Sequence, residues 1–322
     1  MSRLVTLVLA ALACLSSLVA CDGGDEASGS ARRRIAVVPK GTTHVFWTAV
    51  ERGAKSAALE LGVDVVWDAQ LDEGDRAGQI QVVEQLLASG VDALCLAPLD
   101  SRALVPTVAS ARARGVPVVV FDSPLEGEAP RDFEGYVGTD NRAAGRLGAQ
   151  ALIDALGGSG KVVLLRYRVG SGSTVEREEG FLEVASAHPG IEVLVQDRYA
   201  GSTAAEAQTE ALALLPQLRA ADGVFCSQES ATVGMLLALR REALLEKLVF
   251  VGFDSSPVLV AALRAGEIDA LVVQDPARMG ELAVRLAVAH LDGTTIAPST
   301  DTGAVVATGA NLADPKIAAL LE

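Results

Sequence analysis

Two aspartates stand at equivalent points of the sequence, Asp122 closing the run PVVVFD and Asp254 closing VFVGFD. A carboxylate at the end of an apolar strand is placed to accept hydrogen bonds from a bound hydroxyl. Two facing ones could equally form the acid/base pair of a glycosidase. Other chemistries find less support. The three histidines, at 44, 188 and 290, are paired with no Cys, Asp or Glu at metal-ligand spacing. No Gly-x-Ser-x-Gly elbow occurs, nor a Cys/His arrangement with its cysteine outside a strand, so no metal, cofactor or covalent catalysis is expected.

Two glycine-rich stretches imitate phosphate loops and fail. Around Gly157-Gly158-Ser159-Gly160-Lys161, the first glycine of such a motif would fall on Ala155 and its Ser/Thr on Val162, so the stretch reads as a helix stop and turn. Gly170-Ser171-Gly172-Ser173-Thr174 follows a strand and precedes a helix, but Val175 replaces the final glycine of a dinucleotide loop. A ligand other than a nucleotide can still approach that backbone closely.

The elements that must position these residues alternate regularly. Short apolar runs at 35–38, 63–67, 93–97, 117–121, 161–165, 192–195, 223–227, 248–253 and 270–273 read as strands. Between them lie longer segments with apolar residues at three- and four-residue spacing, at 46–61, 76–89, 103–114, 141–156, 175–187, 203–218, 231–244, 257–265 and 277–291. Strand then helix, repeated, predicts parallel sheets covered by helices on both faces. Such strands close one barrel or divide into two open sheets; the echo between PVVVFD and VFVGFD favours the second. Two facing sheets would put Asp122 and Asp254 on opposite walls of one cleft.

The chain has 322 residues, half of them apolar, enough for about two domains. Its formal charge of -14, without a basic run able to follow a phosphate backbone, excludes nucleic acid as a partner. Residues 1–20, MSRLVTLVLAALACLSSLVA, carry one charge and an apolar stretch too short to span a bilayer comfortably, which reads as a secretory signal. Leu18-Val19-Ala20-Cys21 resembles the bacterial lipoprotein signal, which implies a lipid on Cys21 as the new N-terminus. Removal of 1–20 takes away Arg3 and no acid, so the remaining chain is one unit more negative and charge alone will not hold it to anionic lipid. Residues 21–33 are small, polar and aperiodic, a flexible tether. Cys95 and Cys226 sit in apolar runs and are expected as core residues rather than a disulfide.

From about residue 34 the chain resembles the type I periplasmic sugar-binding proteins, the superfamily that also includes the sensor domains of LacI-type regulators. The matching segments occur in order: VFWTAVERGAKSAALELGV, APLDSRAL, PVVVFDSPL, GTDNRAAGRLGA, STVEREEGF, VFCSQESATVGML, VFVGFDSSP and GEIDALVVQDPARMG. No helix-turn-helix segment precedes residue 35, which argues against the regulator branch. The resemblance implies an α/β fold of two doubly wound parallel-sheet lobes joined by a three-strand hinge, with lobe one at 34–139 plus 275–298 and lobe two at 140–274 plus 299–322.

Carried over residue by residue, the resemblance puts ligand contacts on His44, Phe46 and Trp47 after the first strand, and on Asp122 and Ser123 after the fourth. In the second lobe it points to Arg177, Tyr199, Gln228 and Asp254, with Gln274 near a crossover. Lys40 is a further candidate outside this set. Hydroxyls of a sugar donate and accept at once and its C–H face is apolar, so carboxylates, a guanidinium, amides and aromatic rings suit it together. His44 stands where ribose-binding members have an amide, Ser123 where they have an arginine and Gln228 where they have an asparagine; the pocket is not shaped for ribose itself. The resemblance implies a non-enzymatic, monomeric solute-binding subunit of an ABC importer, in the periplasm or cell envelope, held to the membrane's outer face through Cys21. The alternatives are a sensor whose closed form is read by a membrane receptor and, third, a glycoside-acting enzyme.

Overall fold

The computed structural model describes residues 32–42 and 44–321. The expected signal segment 1–20, Cys21 and the expected tether up to residue 31 lie outside the described residues. Five strands in chain order, β1 (Arg34–Val38), β2 (Asp64–Trp67), β3 (Ala93–Leu96), β4 (Val118–Phe121) and β5 (Gly135–Gly138), build the first sheet. β6 (Gly160–Arg166), β7 (Ile191–Tyr199), β8 (Gly223–Cys226), β9 (Val249–Phe253) and β10 (Ala270–Gln274) build the second. Two late strands, β11 (Ser299–Asp301) and β12 (Ala304–Thr308), add an edge to each, giving the orders β11-β5-β4-β3-β1-β2 and β12-β10-β9-β8-β6-β7. Every pairing is parallel except β10 with β12.

Both sheets therefore follow the doubly wound order 2-1-3-4-5, and the barrel alternative is excluded. Their central strands carry β-branched and aliphatic side chains because both faces are covered: β3, β4 and β8 are buried throughout. In the first lobe, α1 (Val45–Leu61) and α10 (Pro276–Leu291) cover one face, while α2 (Arg76–Ala88) and α3 (Val105–Ala113) cover the other. In the second, α4 (Asn141–Ala155) and α5 (Gly172–Ala187) lie opposite α6 (Ala204–Ala213), α7 (Leu215–Ala220), α8 (Glu229–Arg241) and α9 (Pro257–Arg264). The short α11 (Pro315–Leu320) ends the described chain and buries Ile317 against the second lobe. No described helix is long and apolar enough to cross a membrane. Cys95 and Cys226 are free and buried.

The chain passes between lobes three times. After β5, Asp140 caps α4 by accepting from the Ala143 N–H at 2.8 Å, and after β10, Asp275 caps α10 by accepting from the Arg278 N–H at 2.9 Å. The third passage differs from the sequence expectation. Ser299–Asp301 pairs with β5 in the first sheet, so the boundary expected between 298 and 299 falls instead at Thr302–Gly303, where Gly303 takes φ 75°. The first two passages each deliver a helix to the other lobe, seated by a close glycine contact, and the third delivers the edge strand β12. A Cβ on Gly145 of α4 would lie 1.9 Å from the Arg177 carbonyl oxygen of α5, and one on Gly280 of α10 would lie 2.0 Å from the Val50 carbonyl oxygen of α1.

Candidate functional site

The carboxyl ends of both sheets face one another across a cleft walled by side chains of both lobes. Asp122 and Asp254 occupy matching points of the two sheets. Each sits in the left-handed region, at φ 58° and 69°, and each N–H donates over 2.8 Å to the neighbouring strand, to the Val137 and Val272 carbonyl oxygens. Aspartate is among the few side chains that tolerate this backbone, which turns both carboxyls into the cleft.

Asp254 is held by three partners. Its Oδ1 accepts from Gln274 Nε2 at 2.6 Å, its Oδ2 accepts from the Glu229 N–H at 3.1 Å, and Arg177 Nη1 lies 4.0 Å away. Burial raises its pKa to about 6 against the opposing pull of Arg177 and the Gln274 bond. Arg177 does not pair with its helix neighbours. It reaches inward, donating to Asn141 Oδ1, the Ser227 carbonyl and Gln274 Oε1 at 2.8, 3.2 and 2.9 Å, with its guanidinium 3.8 Å from the centroid of the Phe253 ring. Gln228, at the N-cap of α8, lines the cavity while its Oε1 accepts from Ser230. On the first lobe, Lys40 Nζ lies 3.0 Å from Asp122 Oδ2, an ion pair poorly directed for a hydrogen bond.

His44 stands between carboxylates of opposite lobes, its Nε2 3.5 Å from Glu73 Oε1 and its Nδ1 3.7 Å from Glu229 Oε2. Burial alone would lower its pKa, but Glu229, Glu73 and Asp254 outweigh that and raise it to about 9, so the imidazole is protonated at neutral pH. Glu73 accepts from Trp47 Nε1 at 2.7 Å and from Tyr167 Oη at 2.8 Å. Trp47 meets Phe46 and Phe121 edge to face, with ring centroids 4.9 and 6.4 Å apart, which gives the polar cavity one apolar wall.

The segment Tyr167–Ser173 straps the second lobe to the first. Besides the Tyr167–Glu73 bond, Arg168 donates to the Glu73 carbonyl, Arg76 to the Val169 carbonyl at 2.9 Å, and the Ser101 N–H to the Gly170 carbonyl at 3.1 Å. Lys40 Nζ donates to Ser173 Oγ at 3.0 Å, and the Ser173 N–H donates to Ser123 Oγ at 3.1 Å.

Of the residues singled out in the sequence, the fold brings His44, Phe46, Trp47, Asp122, Arg177, Gln228, Asp254 and Gln274 to the cavity wall. Ser123 and Tyr199 are not on it. Ser123 is fully buried behind Asp122 and serves the strap, while Tyr199 ends β7, is 37% exposed, and lies beneath the Arg166 guanidinium. Sequence reasoning passed over Glu73, Tyr167 and Glu229, which also line the cavity, left Lys40 outside the set, and marked Ser173 and Thr174 only as part of the 170–174 loop that a ligand can approach. Position was the available signal, since each of them follows a strand at the carboxyl edge of its sheet.

By sequence, residues 35–295 match the periplasmic binding protein domain. The chain is 30% identical over 271 residues to the D-allose-binding periplasmic protein of Escherichia coli (strain K12), which covers 81% of this chain and 85% of that protein. Among solved structures it resembles the periplasmic component of an ABC-type sugar transport system from Hahella chejuensis, with 42% identity and a TM-score of 0.82 over 85% of this chain and 99% of that one. It also resembles a carbohydrate transporter solute binding protein from Agrobacterium Radiobacter in complex with D-arabinose, with 33% identity and a TM-score of 0.86 over 91% and 99% of the two chains. A match that runs from β1 through α10, together with relatives sharing the two-lobe arrangement, establishes that the chain belongs to the periplasmic binding protein family.

Proposed function

We propose that this protein is the lipid-anchored solute-binding subunit of an ABC importer, and that it captures a sugar or sugar-like molecule between its lobes. The observation that carries the reading is the convergence of side chains from both lobes on one cavity. Asp122, Asp254, Arg177, Gln228, Gln274 and His44 supply acceptors and donors, and Phe46 and Trp47 supply the apolar wall that a sugar's C–H face requires. The ligand's role is to favour the closed arrangement, which needs differential affinity and no turnover. A relative named for binding D-allose and a solved carbohydrate transporter solute binding protein in complex with D-arabinose support this class of ligand. The working place is the periplasm or cell envelope, with an ABC permease as partner, the protein acting as a monomer and the lipid on Cys21 as its anchor.

The test is a thermal shift of the purified protein against monosaccharides, polyols, sugar acids and purine nucleosides. A ligand at 100 times its Kd adds about 2.7 kcal/mol to the folded state. A shift with one sugar, lost in Asp122→Ala and in Asp254→Ala and unaccompanied by turnover, is expected. No shift with any compound at millimolar concentration, and no copurifying sugar on mass spectrometry, would overturn the assignment. The anchor is tested separately by labelled palmitate, which should enter the full chain expressed in a bacterium and not Cys21→Ala.

A further inference from the structure

The acids of the cavity are not evenly matched by its bases. Lys40 stands against Asp122 and Arg177 against Asp254, which leaves Glu73 and Glu229 facing His44 alone. Glu73 has other partners, since Trp47 and Tyr167 each donate to one of its oxygens. Glu229 has none for its Oε2. That atom is buried without a hydrogen bond in a residue only 6% exposed, on the cavity wall, and the nearest cation, His44 Nδ1, is 3.7 Å away. A buried carboxylate oxygen without a hydrogen bond, its only cation shared with Glu73, is costly, so its environment selects for a further donor.

We infer that the ligand is a sugar or cyclitol carrying a cationic amino group, which sits at Glu229 on the His44 side of the cavity. This rests on the sugar-binding reading above. A hydroxyl at the same place would satisfy one lone pair and leave the excess negative charge uncompensated, whereas an ammonium answers both. A sugar acid or sugar phosphate would add to the excess. The protonated state of His44 is consistent with this field: carboxylates that hold a proton on a buried imidazole would also hold an ammonium in its place.

The experiment is isothermal titration at pH 7 with D-glucosamine, D-galactosamine, D-mannosamine, D-allosamine and an inosamine, each against its hydroxyl parent. The same comparison is made for the amino-substituted form of any neutral sugar found by thermal shift. At least one amine should bind tenfold or more tighter than its parent, and N-acetylation, which removes the charge, should abolish the advantage. Added salt should weaken the amine and leave the parent unchanged. Glu229→Gln, folded as judged by its melting temperature, should bring the ratio close to one; the salt dependence decides if that variant does not fold. Parents binding as tightly as every amine, or tighter, would overturn the inference and leave the sugar reading standing. Failure of every sugar and every amine to bind would overturn both.

Discussion

Tyr167→Phe tests whether the strap belongs to the closed state rather than to the stability of either lobe. The substitution keeps the ring and removes the hydroxyl that donates over 2.8 Å to Glu73 Oε2, a contact between residues 1% and 4% exposed. A hydrogen bond to a charged group contributes about 1.5–3 kcal/mol, and Glu73 would keep only the Trp47 donor. Because Tyr167 follows β6 and Glu73 follows β2, the bond joins opposite lobes and exists only when they are together. Its loss should therefore appear in the affinity, as a Kd raised about 10- to 150-fold. Titration calorimetry with the ligand found by thermal shift measures this, and the melting temperature of the ligand-free protein provides the comparison. A Kd within twofold of the parent would refute the reasoning. So would a loss of melting temperature as large without ligand as with it, since that would assign the bond to the resting fold.

Arg177→Met should cost about 3–5 kcal/mol in chemical denaturation, because it strips buried Asp254 of its nearest cation and leaves acceptors on Asn141, Ser227 and Gln274 without a donor; a loss below about 1 kcal/mol would contradict the network. Gly145→Ala places a methyl 1.9 Å from the Arg177 carbonyl, so α4 and α5 must separate at a cost of about 1–3 kcal/mol, with weaker ligand binding as Arg177 shifts; Gly309→Ala, with no neighbour within 4 Å, is the neutral control. His44 binds its proton more tightly folded than unfolded, so its contribution is fully present below about pH 6.5 and is lost as pH rises through about 9; the melting-temperature gap between the parent and His44→Gln should narrow over that range, and a constant gap would refute it. Burial raises Asp254 to about 6 and Glu178 to about 7, so these two make stability fall with rising pH from about 4 to 7, a slope that Glu178→Gln should flatten in pH-dependent melting.

The doubly wound plan was legible because fully buried strands are continuous apolar runs and amphipathic helices separate them. The two terminal aspartates even exposed the correspondence between lobes. What escaped has physical reasons. β5 is GYVG, with glycines at both ends, and β11 is only three residues long, so neither offers an apolar run to read. β12 is AVVAT, only half-buried at a sheet edge. Glu73 lies in LDEGD, which looks like a solvated turn until the fold turns it against Trp47 and Tyr167. Arg177 was reached only through the resemblance, because the packing against α4 and β10 that directs it inward is tertiary. Tyr199 came from matching position to position along β7, the edge strand whose pairing with β6 shifts register, and its ring lies under Arg166, away from the cavity.

The exchange of helices between lobes governs how the protein can be made. The face of the first sheet against which Trp47 and Val50 pack is covered by α1 and also by α10, which lies more than two hundred residues later. At roughly 5–20 residues per second of synthesis, that face waits about 10–50 s for its second cover. On the second lobe both helices of the matching face arrive by residue 187, and the edge strand β12 and the short α11 come late. A chaperone that binds nascent apolar surface will therefore find that the N-terminal lobe of this chain, the first to be translated, keeps one sheet face half covered for longest.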